Sequence, residues 1–358
     1  MTAPFASTAA AEPSVIKFEF VPFTPDLNEP FCRLFAKEGF DRSSEYLRWG
    51  FRSVPGNGWA ALARDRDREG EIIGVMAMVP TKIRAGSEIV RGFQAVDLVV
   101  DEDYRGRGVF MGLGKALLDG AESLGAAMVW GFPNESAAHA WFNRFGWLKL
   151  GPVPYMIRPL RSGFVLGRLA PAMRRVDFRL TRRPRPVAGL REVKRFDAKA
   201  GRLWQQFARS TGCALDRNAD WLNWRIVDRP GAGYRTVAAY ADGEMAALVT
   251  SAIVPRYGGV IHFVLEALCR GSADTRLLAD VLRHEIRRAA DAGADAALCW
   301  CPASAPSRGA YLRSGFVPLP EWMRPAKTYL GVKPLGPLPE VVTSDRGWYV
   351  SFLDFDVI

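Results

Sequence analysis

The chain carries an internal repeat, and nothing else in it constrains the fold so tightly. Residues 46–59 read YLRWGFRSVPGNGW and residues 221–234 read WLNWRIVDRPGAGY. At an offset of 175, Leu47 meets Leu222, Trp49 meets Trp224, Pro55 meets Pro230, Gly56 meets Gly231 and Gly58 meets Gly233, while Trp59 and Tyr234 match as aromatics. Farther on, VWGFPNESAAHAWFNRFGW (129–147) lies over LCWCPASAPSRGAYLRSGF (298–316) at an offset of 169. That places Pro133 on Pro302, Phe142 on Tyr311 and Gly146 on Gly315. Two collinear blocks mark a duplicated unit, six residues shorter between the blocks in its second copy. A length of 358 residues agrees, since it exceeds one ordinary core and suits two domains.

Composition narrows the class further. A hydrophobic fraction of 49% with 24% charged residues excludes a disordered or collagen-like chain. The five cysteines are odd in number and scattered, which fits reduced thiols in a cytoplasm and no disulfide framework. Cys299 and Cys301 form a CxC pair without histidines at zinc-ligand spacing, so no metal is expected. Residues 1–14 are Ala-rich, without a basic start or an apolar run, and read as a loose tail and not a signal peptide. No apolar run reaches membrane-spanning length.

Within the first copy, residues 16–21 alternate as a strand and an aromatic-rich helix follows near 43–52. Residues 59–65 and 71–83 form a hairpin, and 92–100 and 126–132 are strands flanking a helix over 108–124. The helix is drawn from Val109, Leu113, Ala116, Leu117, Ala121 and Leu124, which share one face. This order builds a mixed α/β fold (α+β in arrangement), in two tandem domains. Residues 348–358 alternate as a closing strand.

The segment that carries chemistry is VDLVVDEDYRGRGVFMGLGKALL, residues 96–118. A strand ends at Leu98-Val99-Val100, and Arg105-Gly106-Arg107-Gly108 then opens the helix at Val109 and Phe110. Glycines at a strand-to-helix turn bring backbone amides close to a ligand, and the helix dipole adds to their pull on an anion. Two arginines supply charge-assisted hydrogen bonds to the same group, so a pyrophosphate fits.

This segment resembles the acyl-CoA-binding signature of the GNAT superfamily of N-acetyltransferases, Arg/Gln-x-x-Gly-x-Gly/Ala after a strand. It stands here as Arg105-x-x-Gly108-x-Phe110, with Phe110 replacing the last small residue. Downstream, Asn134 and Phe142-Asn143-Arg144-Phe145-Gly146-Trp147 are similar to the family's second motif. The resemblance implies two GNAT-like domains, each a mixed, mostly antiparallel sheet flanked by helices, with acetyl-CoA or another acyl-CoA as cosubstrate. It implies cofactor contacts from Leu98, Val99, Val100, Arg105, Gly106, Arg107, Gly108, Val109, Phe110, Asn134 and Phe142. Asp97 aligns with the acidic position that activates the amine. The family's usual tyrosine acid is Phe142 here, which has no proton to give; His139 and Tyr155 are the substitutes in reach along the chain.

The second copy lacks the turn: Asp274 and Leu277 stand where Arg105 and Gly108 would fall, and Glu266 aligns with Asp97. The expected layout is a tail at 1–14, a catalytic domain at 15–160, a basic linker at 161–190 and a degenerate GNAT-like domain at 191–358. The expected activity is acetyl transfer to a primary amine of a small molecule or amino sugar. The alternatives are an aminoacyl-tRNA-dependent transferase of the peptidoglycan-bridge type and a non-catalytic acyl-CoA sensor or membrane-associated protein. The net charge of +10 is concentrated: twelve basic residues between Arg158 and Arg195 face only Asp177 and Glu192. That charge belongs to the join between the copies, where it reads first as a solvated connector. It reads second, with Phe164, Val165, Leu166, Leu169 and Met173 set among the arginines, as a peripheral contact with an anionic membrane or acidic partner through residues 158–195. No nucleic-acid partner is expected, because the Arg105–Gly108 turn suits a pyrophosphate.

Overall fold

The computed structural model describes residues 16–355, and the Ala-rich tail lies outside them. The first copy runs β1 (Ile16–Pro22), α1 (Asn28–Lys37), α2 (Ser44–Phe51), β2 (Trp59–Asp65), β3 (Glu71–Ala85) and β4 (Glu88–Val100). It continues with α3 (Val109–Ser123), β5 (Met128–Gly131), α4 (Glu135–Asn143), β6 (Leu148–Pro152) and β7 (Tyr155–Pro159). A connector with α5 (Ser162–Leu169) follows, then β8 (Leu190–Glu192), α6 (Ala198–Ala208), β9 (Cys213–Leu215), α7 (Ala219–Leu222), β10 (Arg235–Ala241), β11 (Glu244–Arg256) and β12 (Gly259–Cys269). The chain closes with α8 (Thr275–Asp291), β13 (Ala296–Trp300), α9 (Arg308–Arg313), β14 (Val317–Pro318), β15 (Tyr329–Pro334) and β16 (Trp348–Tyr349). Among the described residues no helix is long and apolar enough to cross a membrane.

The copies start their equivalent helices in the same way. Ser43 accepts the Tyr46 amide at 3.1 Å and caps α2, and Asn218, 175 residues on, accepts the Trp221 amide at 2.8 Å and caps α7. The repeat-related Trp49 and Trp224 then stack across the join, ring centroids 5.2 Å apart at 20°. Each indole N–H donates to the other residue's carbonyl, at 2.7 and 3.0 Å. Two halves reading the same sequence signal meet here about a local two-fold axis.

The two sheets share one strand order with one reciprocal exchange. The first runs β1-β2-β3-β4-β5-β15-β6 and the second β8-β10-β11-β12-β13-β7-β14. β15, from the second copy, pairs with β5 (Val332 opposite Trp130) and with β6. In return β7 pairs with β13 (Trp300 opposite Tyr155) and with β14. Each sheet is therefore completed by a strand from the other half, so the expected break near residue 160 is one of chain order and not of sheets. One hydrophobic core holds Ile83, Met128 and Trp130 of the first half together with Leu248, Phe263 and Trp300 of the second. Among the described residues the expected closing strand is realised only at Trp348–Tyr349, beside β9; Phe352–Asp354 turns as a 3-10 helix instead, because Ser351 and Asp354 form a capping box, and residues 356–358 lie outside the described residues.

Candidate active site

The site grows from an irregularity in β4. Met76 of β3 faces Leu98, but Ala77 faces Val96, so Asp97 is the extra residue of a β-bulge. Its φ of +39° is left-handed, a conformation that costs a non-glycine residue about 1–3 kcal/mol and is held only by its surroundings. On the other side β4 pairs with β5 solely through Gly92–Gln94 and Met128–Trp130. Past that point the two parallel strands part, and the backbone of β4 from Ala95 onward faces a cleft of about 260 Å3. Asp97, Phe132, Asn134 and Trp141 form its walls, joined by Thr328 and Phe355 from the second copy.

Through Phe40, Leu98 and Val99 the cleft opens into a groove of about 460 Å3 along Tyr104–Met111. Gly106 and Gly108 have φ of +78° and +81°, and an added Cβ at either would meet nothing within 4 Å. Gly108 is also the N-cap of α3 and provides no side-chain acceptor, so the first-turn amides of that helix are left for a ligand. Arg105 is exposed, paired with the Glu38 carboxylate and donating from Nε to Val100 O at 3.3 Å. Arg107 stands over the Tyr104 ring at 5.2 Å, and Tyr104 in turn donates to Asp65. The turn is thus stiffened from beneath, with the Arg105 and Arg107 amides donating to Glu102 O and Tyr104 O, while both arginines are exposed. Phe110 packs on Trp141 and Phe145 at centroid distances of 6.0 and 5.5 Å, and so widens the apolar wall of the groove.

On the opposite face of β4 lies a smaller pocket of about 50 Å3, walled by Tyr46, Trp49, Trp224 and Arg225. Asp97, with Gln94 and Val96, borders both spaces. Its Oδ1 accepts from Arg42 Nη2 at 3.0 Å, and its side chain is 9% exposed. The carboxylate therefore stands between the cleft and the join of the two halves.

The structure gathers most, not all, of the sequence candidates. Leu98, Val99, Val100, Arg105, Gly106, Gly108, Val109 and Phe110 border the groove, and Arg107 lies within the same turn. Asn134 caps α4 by accepting the Ala137 amide at 2.9 Å, at the cleft wall. Phe142 points elsewhere, edge-on to Tyr329 of β15 at 6.1 Å, and Trp141 takes the place beside the cleft. His139 is exposed on α4, outside the cleft walls. Tyr155 is buried in the second sheet against Trp300 and Phe352, where burial pushes its phenol up.

Glu266 needs a correction. The ladder of β11 and β12 also slips once, with Thr250 opposite Glu266 and Ser251 opposite Val264, so its extra residue is Leu265. Glu266 occupies the position of Leu98, and the bulge acid of the second copy is absent. Burial raises the Glu266 pKa against the opposing pull of Arg217. Arg217 is fully buried, 3.2 Å from Glu266 Oε2 and 2.6 Å from Asp354 Oδ2, while Tyr349 and Ser351 donate to Glu266. This cluster fixes the segment 351–355. Phe352 stacks on Trp300 at 4.7 Å and fills the splay of the second sheet. The same segment reaches the first site: Asp354 O accepts Gln94 Nε2 at 2.7 Å, and Arg225 donates to Leu353 O and Phe355 O. The α8 end that would mirror the ligand turn is occupied by Asp274, held by Arg270 at 2.7 Å.

The cleft walls supplied by Thr328 and Phe355 escaped the reading of the sequence. The exchange of strands that brings Thr328 there did leave a trace, since YMIRPL (155–160) and YLGVKPL (329–335) are a third pair of related segments and form the exchanged strands; Phe355 left none.

Residues 26–149 match the family model of the acetyltransferase (GNAT) domain. No curated protein matches the chain by sequence. Among solved structures, Saccharomyces cerevisiae N-myristoyltransferase with bound myristoyl-CoA is similar at a TM-score of 0.61 and 11% identity, covering 97% of this chain and 90% of that one. Another structure of the same yeast enzyme with myristoyl-CoA gives a TM-score of 0.63 at 11% identity, covering 97% and 86%. An Enterococcus faecalis protein described as a probable N-acyltransferase gives 0.61 at 11% identity, covering 89% and 73%. At such identities these likenesses establish the fold, and the duplicated architecture extends over nearly the whole chain.

Proposed function

We propose that this chain, which carries a GNAT acetyltransferase domain on a duplicated GNAT fold, is an acyl-CoA-dependent N-acyltransferase with one working site, in its first half. The observation that carries the reading is the continuity of three features: the uncapped glycine turn, the open edge of β4 and the bulged Asp97. The amides of the α3 first turn, with Arg105 and Arg107, suit the pyrophosphate of CoA. Beyond Gln94, β4 has an unpaired edge of donors and acceptors, which suits the two amides of a pantetheine arm lying beside it as an extra strand. The thioester then reaches the level of Asp97.

The acceptor amine enters from the pocket at the join. Asp97 takes a proton from its nitrogen, the nitrogen bonds to the acyl carbon, and the carbon–sulfur bond breaks to release the CoA thiolate. An entering ammonium competes with Arg42 for the Asp97 carboxylate, and Tyr46, Trp49 and Trp224 exclude water around it. Acetyl is the acyl group proposed, and a small primary amine the acceptor. His139 and Tyr155 stay candidates for returning a proton to the thiolate, though neither borders the cleft, and water at the exposed groove serves equally. The chain is proposed to work in the cytoplasm, its five cysteines being free thiols.

Thiol release from acetyl-CoA, followed with a chromogenic disulfide across a panel of amino sugars, amino acids and polyamines, tests the proposal. Amine-dependent release by the wild type supports it. No release with any acyl-CoA, alongside transfer from a charged tRNA, would replace it with the aminoacyl-tRNA reading.

A further inference from the structure

We propose that the connector between the halves is a docking surface for an anionic lipid bilayer. Residues 171–180 are exposed without interruption. Of the large apolar side chains that the fold leaves exposed, Met173, Val176, Phe178 and Leu180 fall within this stretch, and Val165 and Leu169 lie just before it on α5. Leu169 is 77% exposed and Phe178 57%.

The stretch is no loose linker. Ser162 is buried and receives the Phe178 amide on its Oγ at 2.8 Å, while its own amide donates to Phe178 O at 3.0 Å. Leu180 donates to Leu160 O at 2.8 Å, and Asp177 accepts the Gly163 amide at 3.1 Å and pairs with Arg161. Asp177 and Arg179, the latter bound to Asp291, tie this segment to the body. Val176, Phe178 and Leu180, alternating with these tethers, are left exposed. On α5, Gly163 and Gly167 lie against the backbone and side chain of Arg174, and Phe164 lies against Gly259. Val165 and Leu169, one turn apart, are left outward. The backbone is therefore fixed so that apolar side chains project into solvent, the opposite of what burial alone would select.

Charge identifies the occupant. Arg174, Arg175, Arg182, Arg183 and Arg185 are exposed and enter no ion pair among the described residues. Arginines interleaved with aliphatic and phenyl side chains match the two layers of an anionic leaflet, phosphate outside and hydrocarbon beneath. A nucleic acid or an acidic protein would answer the arginines and leave Leu169 and Phe178 unsatisfied.

The test is co-sedimentation of the full chain with phosphatidylcholine vesicles, with and without phosphatidylglycerol, and with duplex DNA as a lipid-free polyanion. Binding to the anionic vesicles and little to the neutral ones is expected. Each basic side chain near an anionic surface contributes about fivefold in affinity, so Arg174→Gln, Arg175→Gln, Arg182→Gln and Arg183→Gln together weaken it about six-hundredfold. Leu169→Ser with Phe178→Ser weakens vesicle binding while leaving DNA binding unchanged. No preference of the wild type for anionic vesicles overturns the proposal without any variant. So does vesicle binding that survives Leu169→Ser with Phe178→Ser, which would make the surface a general polyanion site.

Discussion

Asp97 combines three properties rarely found in one residue of a strand: a left-handed φ, the extra place of a bulge, and a carboxylate bordering two cavities. The bulge turns a side chain that would follow the pleat toward the point where the cleft and the join pocket meet. If it is the base, Asp97→Asn keeps the shape and the Arg42 contact but cannot take a proton. Turnover should fall by about 10²- to 10⁴-fold while acyl-CoA affinity stays nearly unchanged. Steady-state kinetics beside a direct binding titration will separate the two; equal loss of binding would make Asp97 structural. His262 supplies a prediction of another kind. It is fully buried in β12, neither ring nitrogen has a hydrogen-bond partner among the described residues, and burial lowers its pKa to about 3. The folded chain keeps it neutral while the unfolded chain protonates near pH 6.5, so its contribution to stability is lost as the pH falls from 6.5 toward 3. The slope is about 1.4 kcal/mol per pH unit. Urea midpoints measured at pH 7 and pH 5 should diverge for the wild type and converge for His262→Leu.

The segment 351–355 is the element through which the second half acts on the first. Arg217 holds it from below through Asp354, Gln94 and Arg225 take its carbonyls, and Phe355 faces the cleft. Arg217→Met would leave Glu266 and Asp354 buried without their cation. Loss of one partner from a buried pair costs about 3–5 kcal/mol, so chemical denaturation should report a fall of that order. A change below about 1 kcal/mol would mean the carboxylates find protons or water at little cost. What the chain announced and what it hid at this scale follow from range. The turn at 105–108 and the helix behind it are local, set by glycine, charge and a helical period within about twenty residues, and were legible. The position of Asp97 in a bulge was not, because a strand with an extra residue alternates almost like one without it. The misplacement of Glu266 has the same origin: a one-residue slip between β11 and β12 leaves no mark in composition.

At the scale of the molecule the repeat foretold two like units but not their exchange of strands. β7 and β15 have the same alternation whichever sheet they complete, so no local pattern marks the exchange. The exchange makes the halves interdependent. Residues 1–160 alone would lack β15 between β5 and β6, and should not give a cooperatively folded product. The whole chain should unfold in one transition, with tryptophan fluorescence and far-UV dichroism coincident; two separated transitions would contradict the coupling of the sheets. The proposal of one ligand turn, in the first half, is supported in the second half by Asp274 with Arg270 and Phe352 on Trp300, which occupy the corresponding places there. Calorimetric titration of the full chain with acetyl-CoA tests that claim directly. One equivalent bound per chain is predicted, abolished by Arg105→Glu and untouched by Asp274→Ala; two equivalents, none, or loss of binding in Asp274→Ala would contradict a single site in the first half.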